Sequence, residues 1–376
     1  MKVGVPKETF PGETRAAIVP VSVTKLVKKE IQVAVESGLG LQAGFTDEDY
    51  KEAGALIAPR DQILAHSDVI LRVRKPDDDD VKLLKKGSVH ISFLDPFNEA
   101  ALIESLCTAE VHAVSMEMIP RTTYAQKMDA LSSQANLAGY VAVILAAERL
   151  NRILPMMTTP AGTLQPARVF IVGVGVAGLQ AIATAKRLGA RVEAFDVRPE
   201  VEEQVQSLGA KFVKIDVGQT ESTADGYAKE MTPEQYQKQK EGMAEVCGNS
   251  DIVITTAQLF GRPAPVLLEE WMVDAMRPGS IVVDLAVETG GNVAGSKLNE
   301  EVDINGVTIL GLGNLPGRVA AHASQMYSTN ITNLLMDYYD DESKAFNFDL
   351  DDEILKGCLI THNGKVINER ILEFSK

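Results

Sequence analysis

The chain has 376 residues, of which 45% are hydrophobic, 24% charged and 5% aromatic, the composition of an ordinary globular protein rather than a disordered, collagenous or disulfide-stapled one. At roughly 100–200 residues per domain, this length suggests about two to three domains, each able to bury its own core, with two as the starting count. A formal net charge of −15 argues against a nucleic-acid partner, because phosphate binding needs a basic surface.

Cys107, Cys247 and Cys358 lie far apart without CxxC spacing, which suits a reducing compartment. The opening MKVGVPKETF lacks the apolar core of a signal peptide and turns acidic at Glu8, so the chain is expected to stay in the cytoplasm. Next in order, Lys2–Pro6 reads as a strand, Val21–Lys28 as a helix, and Gln32–Val35 as a strand before the turn Ser37-Gly38-Leu39-Gly40. Val69–Val73, Ser88–Phe93 and Val111–Ser115 continue as strands, separated by helices over Asp61–Ala65 and Asn98–Cys107. This alternation predicts a parallel sheet in an α/β domain. Asp77–Asp80 reads as a solvated turn.

The polar, helix-starting stretch Asp129-Ala130-Leu131-Ser132-Ser133 then leads into Asn136–Leu150, a helix that can run between domains, and from Arg168 the alternation begins again. Strands are expected at Val169–Val172, Val192–Phe195, Lys211–Lys214, Ile252–Thr255, Ile281–Asp284 and Thr308–Leu310, with helices over Val176–Leu188 and Glu200–Leu208. A late helix from Ala320 to about Met336 would return the chain to the first domain. The expected fold is therefore α/β: two Rossmann-like, doubly wound parallel-sheet domains with a cleft between them. The first domain, residues 1–131 plus 322–376, would be discontinuous around a second at 132–321.

Val169 to Ala185 is the most hydrophobic run, about the length of a short membrane span, but its glycines have the spacing of a nucleotide-binding turn. Gly173-Val174-Gly175-Val176-Ala177-Gly178 is a GxGxxG directly after a strand and at the start of a helix. Gly173 would permit the tight turn, Gly175 the close approach of a pyrophosphate, and Gly178 the packing of helix on strand, with the diphosphate at the positive helix end. Asp196 ends the next strand 18 residues after Gly178, near the expected spacing of about 20. Its carboxylate would accept ribose hydroxyls and repel a 2′-phosphate, which favours NAD(H) over NADP(H). Val197 and Arg198 complete that turn; a guanidinium at Arg198 could hold a 2′-phosphate or be a solvated loop charge. Thr256, Ala257 and Gln258, after a buried-type strand, are candidate walls of the cofactor site.

Together, Arg121-Thr122-Thr123-Tyr124-Ala125-Gln126-Lys127-Met128-Asp129, the following LSSQANLAGY, the glycine-turn segment, Gly226-Tyr227-Ala228-Lys229-Glu230-Met231 and Pro263-Ala264-Pro265 resemble the NAD(H)-binding domain I of the alpha subunit of proton-translocating transhydrogenases. The resemblance runs almost end to end. It implies a Si/Re-specific enzyme component that passes hydride from NADH to NADP⁺, with NADP(H) held on a partner domain, coupled to proton movement through membrane-spanning subunits. It also implies a homodimer, peripheral on the cytoplasmic face of a bacterial inner membrane. Arg121, Gln126 and Asp129 would form the catalytic loop at the nicotinamide end, flanked by Tyr124 and Ser132, with Arg121 and Asp129 able to fix each other. Gln126 carries an uncharged donor and acceptor to the redox centre. Tyr227 would lie on a loop that closes over the cofactor, while Gly226, Gln239 and Gln258 fall on the adenine side. An apolar residue is more usual at Gln258, which favours a backbone contact there.

Alanine dehydrogenases share the opening pattern, including Lys7-Glu8 and Arg15, and are the alternative reading; a non-catalytic NAD-sensing module is another. In those enzymes a lysine in a VKEP-like segment and a histidine in an FLH-like one serve the amino-acid reaction; here the positions are Arg74 and Asp95. Arginine is a poor proton shuttle and an aspartate would repel a substrate carboxylate. Hydride passage between two nicotinamide rings needs close placement of the reacting atoms rather than a general acid or base. His322, at the start of the late helix, is expected to cap or pack, and Lys7, Glu8 and Arg15 to be inherited scaffold, Arg15 in particular left from a substrate site. No second, NADP-type fingerprint and no spanning helix is read from the chain, so those components would lie elsewhere.

Overall fold

The computed structural model describes residues 1–215, 232–259 and 261–374. The chain divides into two units, Met1–Gln134 with Pro316–Lys376, and Ala135–Leu315. The first unit opens with strands β1 (Lys2–Val5), β2 (Gln32–Glu36), β3 (Leu56–Ala58), β4 (Val69–Leu71), β5 (Val89–Ser92) and β6 (His112–Ser115). Between them lie α1 (Pro20–Val27), α2 (Asp47–Glu52), α3 (Arg60–His66), α4 (Asp78–Leu83) and α5 (Ala100–Thr108). Helix α6 (Ala130–Arg149) leads into the second unit, which holds β7 (Met157–Thr159), β8 (Gly162–Leu164), β9 (Arg168–Val172), β10 (Arg191–Phe195), β11 (Lys211–Phe212), β12 (Ile252–Thr255), β13 (Ile281–Asp284), β14 (Glu300–Ile304) and β15 (Val307–Gly311). Its further helices are α7 (Val176–Arg187), α8 (Glu202–Ser207), α9 (Pro233–Gly248) and α10 (Glu270–Asp274). The return to the first unit is made by α11 (Ala320–Asp337), β16 (Tyr339–Asp340), β17 (Ala345–Phe346), α12 (Glu353–Cys358), β18 (Leu359–His362), β19 (Lys365–Val366) and α13 (Glu369–Phe374).

One sheet runs β19-β18-β6-β5-β4-β1-β2-β3 and the other β11-β10-β9-β12-β13-β15-β14. Strands β4, β5, β12 and β13 are buried along their whole length, because helices cover both faces and no polar alternation is needed. Burying each Val, Ile or Leu there contributes about 1.5–3 kcal/mol. Both sheets are Rossmann-like and mainly parallel, but each carries antiparallel pairing at an edge that the alternation did not imply. Strand β14 pairs antiparallel with β15, and β18 pairs antiparallel with both β6 and β19. Asn305-Gly306 and Asn363-Gly364 cause this at two of the edges: φ values of 52°, 84°, 48° and 72° are those of a two-residue hairpin turn.

The acidic run at Asp77–Asp80 is not a solvated turn. Asp77 caps α4 by accepting from the Asp80 amide at 2.9 Å, and three acids occupy the first turn, where the helix dipole favours them. Asp80 itself is buried and takes both the Arg60 and the Arg72 guanidinium. Helix α6 starts at Ala130, within the stretch expected to begin it, because the Asp129 carboxylate accepts from the Ser132 amide (2.8 Å) and so satisfies the first turn. By length and composition alone, α6 is also long and apolar enough to cross a membrane. His322 is exposed in the first turn of α11, so it is not a core histidine. The buried histidines are His90 on β5 and His112 on β6; the His112 ring lies 4.6 Å from that of His362 on β18.

Candidate functional site

In the second unit, the expected site residues converge at the carboxyl ends of β9, β10 and β12. Gly173 leaves β9 with φ +97° and donates to the Phe195 carbonyl at 2.8 Å, so a residue with a side chain would be strained there. A Cβ added to Gly178 would lie 2.0 Å from the Gly173 carbonyl oxygen, whereas one on Gly175 would meet nothing within 4 Å. Gly178 is therefore a packing glycine and Gly175 faces open space. Gly175 is the N-cap of α7 and no side chain caps that helix, so the amides of Val176, Ala177 and Gly178 begin a turn without intrahelical acceptors. This is the electropositive helix start that suits a phosphate.

Asp196 closes the turn from the side. Its Oδ2 accepts from the Val174 amide at 2.7 Å, and Arg198 wraps the same carboxylate through its amide and Nε to Oδ1 (both 2.9 Å) and Nη2 to Oδ2 (3.0 Å). Burial works against the charge, but the Arg198 guanidinium and the two amides outweigh it and hold the Asp196 pKa below the usual carboxylate value. Arg198 is thus more than a solvated loop charge: it is spent on Asp196. Val197 between them is exposed.

Thr256 joins the third strand end to the first, donating from Oγ1 to the Gly173 carbonyl at 2.9 Å. Gln258 uses its side chain to hold the Leu285 carbonyl at 3.1 Å. Sequence reading missed Asp284 and Asn292, both fully buried. Asp284 accepts from the amides of Ala286, Asn292 and Val293, and the Asn292 side chain pairs with Ala257. The signal in the sequence was an acid closing the apolar strand Ile281–Asp284. Gln239 is buried on α9, while Gly226 and Tyr227 lie outside the described residues.

The other candidates belong to the first unit. Residues 121–129 form a loop with a short 3-10 turn at Tyr124–Met128, anchored by the buried Ala125 and Met128. Lys127 ties it to α11: its Nζ is 2.6 Å from Asp337 and 4.5 Å from the Tyr124 ring centre, and its carbonyl accepts from Asn330 and Asn333, each at 3.0 Å. Arg121, Tyr124 and Gln126 are left exposed. Asp129 does not fix Arg121. Its two oxygens accept from the Ser132 amide and hydroxyl, partners three residues away on the same turn, and among the described residues no ion pair links it to Arg121.

Beyond β1 and β4, Glu13 gathers Arg74 and Arg15, the latter expected to remain from a substrate site. Arg15 reaches both Glu13 oxygens at 2.7 Å and Gln134 at 2.8 Å, and Arg74 reaches Glu13 at 2.9 Å while lying over Phe10. Burial opposes the Glu13 charge, but Arg15 and then Arg74 prevail and lower its pKa to about 2. Glu8 is the converse: burial, only partly offset by Arg72, raises its pKa. Asp95 sits at φ 52° with its amide bonded to Glu117 and its carboxylate to Asn98.

Comparison with known proteins places the chain in a family. Residues 4–138 match the family "Alanine dehydrogenase/PNT, N-terminal domain" and residues 142–369 match "Alanine dehydrogenase/PNT, C-terminal domain". The chain is 46% identical to an NAD(P) transhydrogenase subunit alpha protein of Rhodospirillum rubrum, covering 98% of each. The crystal structure of transhydrogenase from Sinorhizobium meliloti superposes with a TM-score of 0.86 at 42% identity, over 98% of this chain and 100% of that one. Alanine dehydrogenase of Methanococcus maripaludis is more distant, 26% identical over 99% of this chain and 95% of its own. At that similarity over nearly its whole length, the chain belongs to the alanine dehydrogenase/PNT family, among the NAD(P) transhydrogenase alpha subunits.

Proposed function

We infer that this chain is the NAD(H)-binding component of a proton-translocating transhydrogenase. The observation that carries the reading is the cradle in the second unit: an open Gly175, uncapped α7 amides and a buried carboxylate at Asp196. These groups fit a dinucleotide: the first amides of α7 beside the open Gly175 would hold the diphosphate and Asp196 the adenosine ribose. A 2′-phosphate there would meet a carboxylate, and Arg198 is already committed, which supports NAD(H) over NADP(H). When bound, the reduced nicotinamide supplies hydride for a second nicotinamide held by a partner subunit.

In this reading Gln126, Arg121 and Asp129 with Ser132 and Tyr124 serve the nicotinamide end, and Gly226, Tyr227, Gln239, Thr256, Ala257 and Gln258 the remainder. Gln126 offers a donor and an acceptor without changing charge, and its loop is held by Lys127 and Met128. The alanine dehydrogenase alternative is disfavoured because Arg74 stays protonated and is bound to Glu13, so it cannot relay a substrate proton. A second copy and the NADP(H)-binding and membrane-spanning subunits complete the enzyme on the cytoplasmic face of the inner membrane. Association is supported by α6, which exposes Tyr140 and Ile144, and by the hairpin β7–β8, exposed along both strands, with Met157 and Leu164.

The test is a purified chain assayed alone and with an added NADP-binding domain. It is expected to bind NADH, to show no turnover with alanine or pyruvate, and to transfer hydride once the domain is present. Gln126→Asn should slow transfer while leaving NADH binding intact. Turnover with alanine alone, or unchanged transfer in the variant, would overturn the assignment.

A further inference from the structure

Asn292 lies in the segment after β13, and its side chain has no exposed surface. Its Oδ1 accepts from the Ala257 amide at 3.0 Å, and its Nδ2 donates to the Ala257 carbonyl and to the Pro265 carbonyl, both at 2.8 Å. An asparagine amide here acts as a peptide group of a neighbouring strand would, pairing with both backbone groups of one residue beyond the end of β12. Aspartate would put an acceptor against two carbonyls, and alanine would leave three backbone groups of the half-buried Ala257 and Pro265 without this partner.

Asn292 is itself held. Its amide donates to both Asp284 oxygens at 3.1 and 3.0 Å, and its carbonyl accepts from Leu267 and Leu268. From there the connection continues: Asp284 to Asn292, Asn292 to Ala257, and the adjoining Thr256 hydroxyl to the Gly173 carbonyl at 2.9 Å. Three strand ends, those of β13, β12 and β9, are thereby locked to one another inside a single unit. Pro265 and the turn at Ala257-Gln258 are carried on the same side chain.

We propose that Asn292 is a positioning residue for the dinucleotide: it sets the Thr256-Ala257-Gln258 wall against the glycine turn and so determines how tightly the cofactor is held, without touching the reacting atoms. This rests on the reading of the glycine turn as the NAD(H) cradle. Because the wall acts on binding and not on the hydride step, Asn292 acts on KM for NADH and leaves kcat at saturation alone.

The experiment measures steady-state transhydrogenation by the complete complex, with Asn292→Ala, Thr256→Ala and Gly175→Val compared with the unaltered protein. Asn292→Ala is expected to raise KM for NADH at least tenfold with kcat within twofold, and Thr256→Ala to raise it in the same direction by less. A loss of kcat in proportion to lost folded protein, with KM unchanged, would show a merely structural role and overturn the proposal. If Asn292→Ala does not fold, an unchanged KM in Thr256→Ala overturns it equally. Gly175→Val separates the two readings: if it too leaves KM unchanged, the cradle assignment fails, and with a raised KM there the fault lies with Asn292 alone.

Discussion

Replacing Asp196 by alanine tests the cofactor reading most directly. The carboxylate accepts four hydrogen bonds from the chain, one from Val174 and three from Arg198. A ribose diol must displace the Nε and Nη2 contacts of Arg198 to bond there, so the net gain on binding is smaller than that of two new bonds to a free carboxylate. Hydrogen bonds to charged groups contribute about 1.5–3 kcal/mol; the exchange puts the expectation at the lower end, roughly a tenfold weaker NADH affinity. For NADPH the signs reverse, because the variant removes a like charge and releases the Arg198 guanidinium to a 2′-phosphate. Fluorescence titrations of the purified chain with NADH and NADPH at one ionic strength should therefore show the preference for NADH shrinking by more than the NADH loss alone. An unchanged NADH affinity in a folded variant, or parallel weakening of both cofactors, would refute the argument.

The two glycines should separate folding from binding. Gly178→Ala drives a Cβ to 2.0 Å from the Gly173 carbonyl and is expected to lower the unfolding midpoint clearly. Gly175→Ala meets no atom within 4 Å, so its midpoint should stay near that of the parent while NADH binding weakens; equal destabilisation of both would sink this distinction. Buried His90 makes a prediction about acid. Burial, and then Arg72, lowers its pKa from 6.5 to about 3, so the native state stays neutral while the unfolded chain takes up a proton below pH 6.5. Stability from this site is complete above pH 6.5 and lost as pH falls toward 3, by at most about 1.4 kcal/mol per pH unit. Urea titrations at pH 6.5 and 5 should show a smaller loss in His90→Gln than in the parent, and equal losses would refute it.

Much of the fold was legible because its signals are local. The strand at Val169–Val172, the glycine turn and the helix from Val176 are written in consecutive residues, and β9 and α7 occupy those positions. The antiparallel edges were legible too, in Asn305-Gly306 and Asn363-Gly364, but an αβ rhythm read as parallel overrode two hairpin turns. The acidic run failed for the opposite reason: four successive aspartates look solvated until Arg60 and Arg72 are brought to Asp80.

By itself, then, the sequence determined two α/β rhythms, a phosphate-binding turn and an acid at the end of the following strand, since each depends on residues a few positions apart and on backbone freedom that glycine alone provides. Tertiary structure decided which polar groups are spent on the protein itself. Arg15 and Arg74 are consumed by Glu13, Arg198 by Asp196, and Asn292 by an alanine 35 residues away in the chain. A buried hydrogen-bonding group must find its partner wherever the chain folds, and no local pattern specifies that choice.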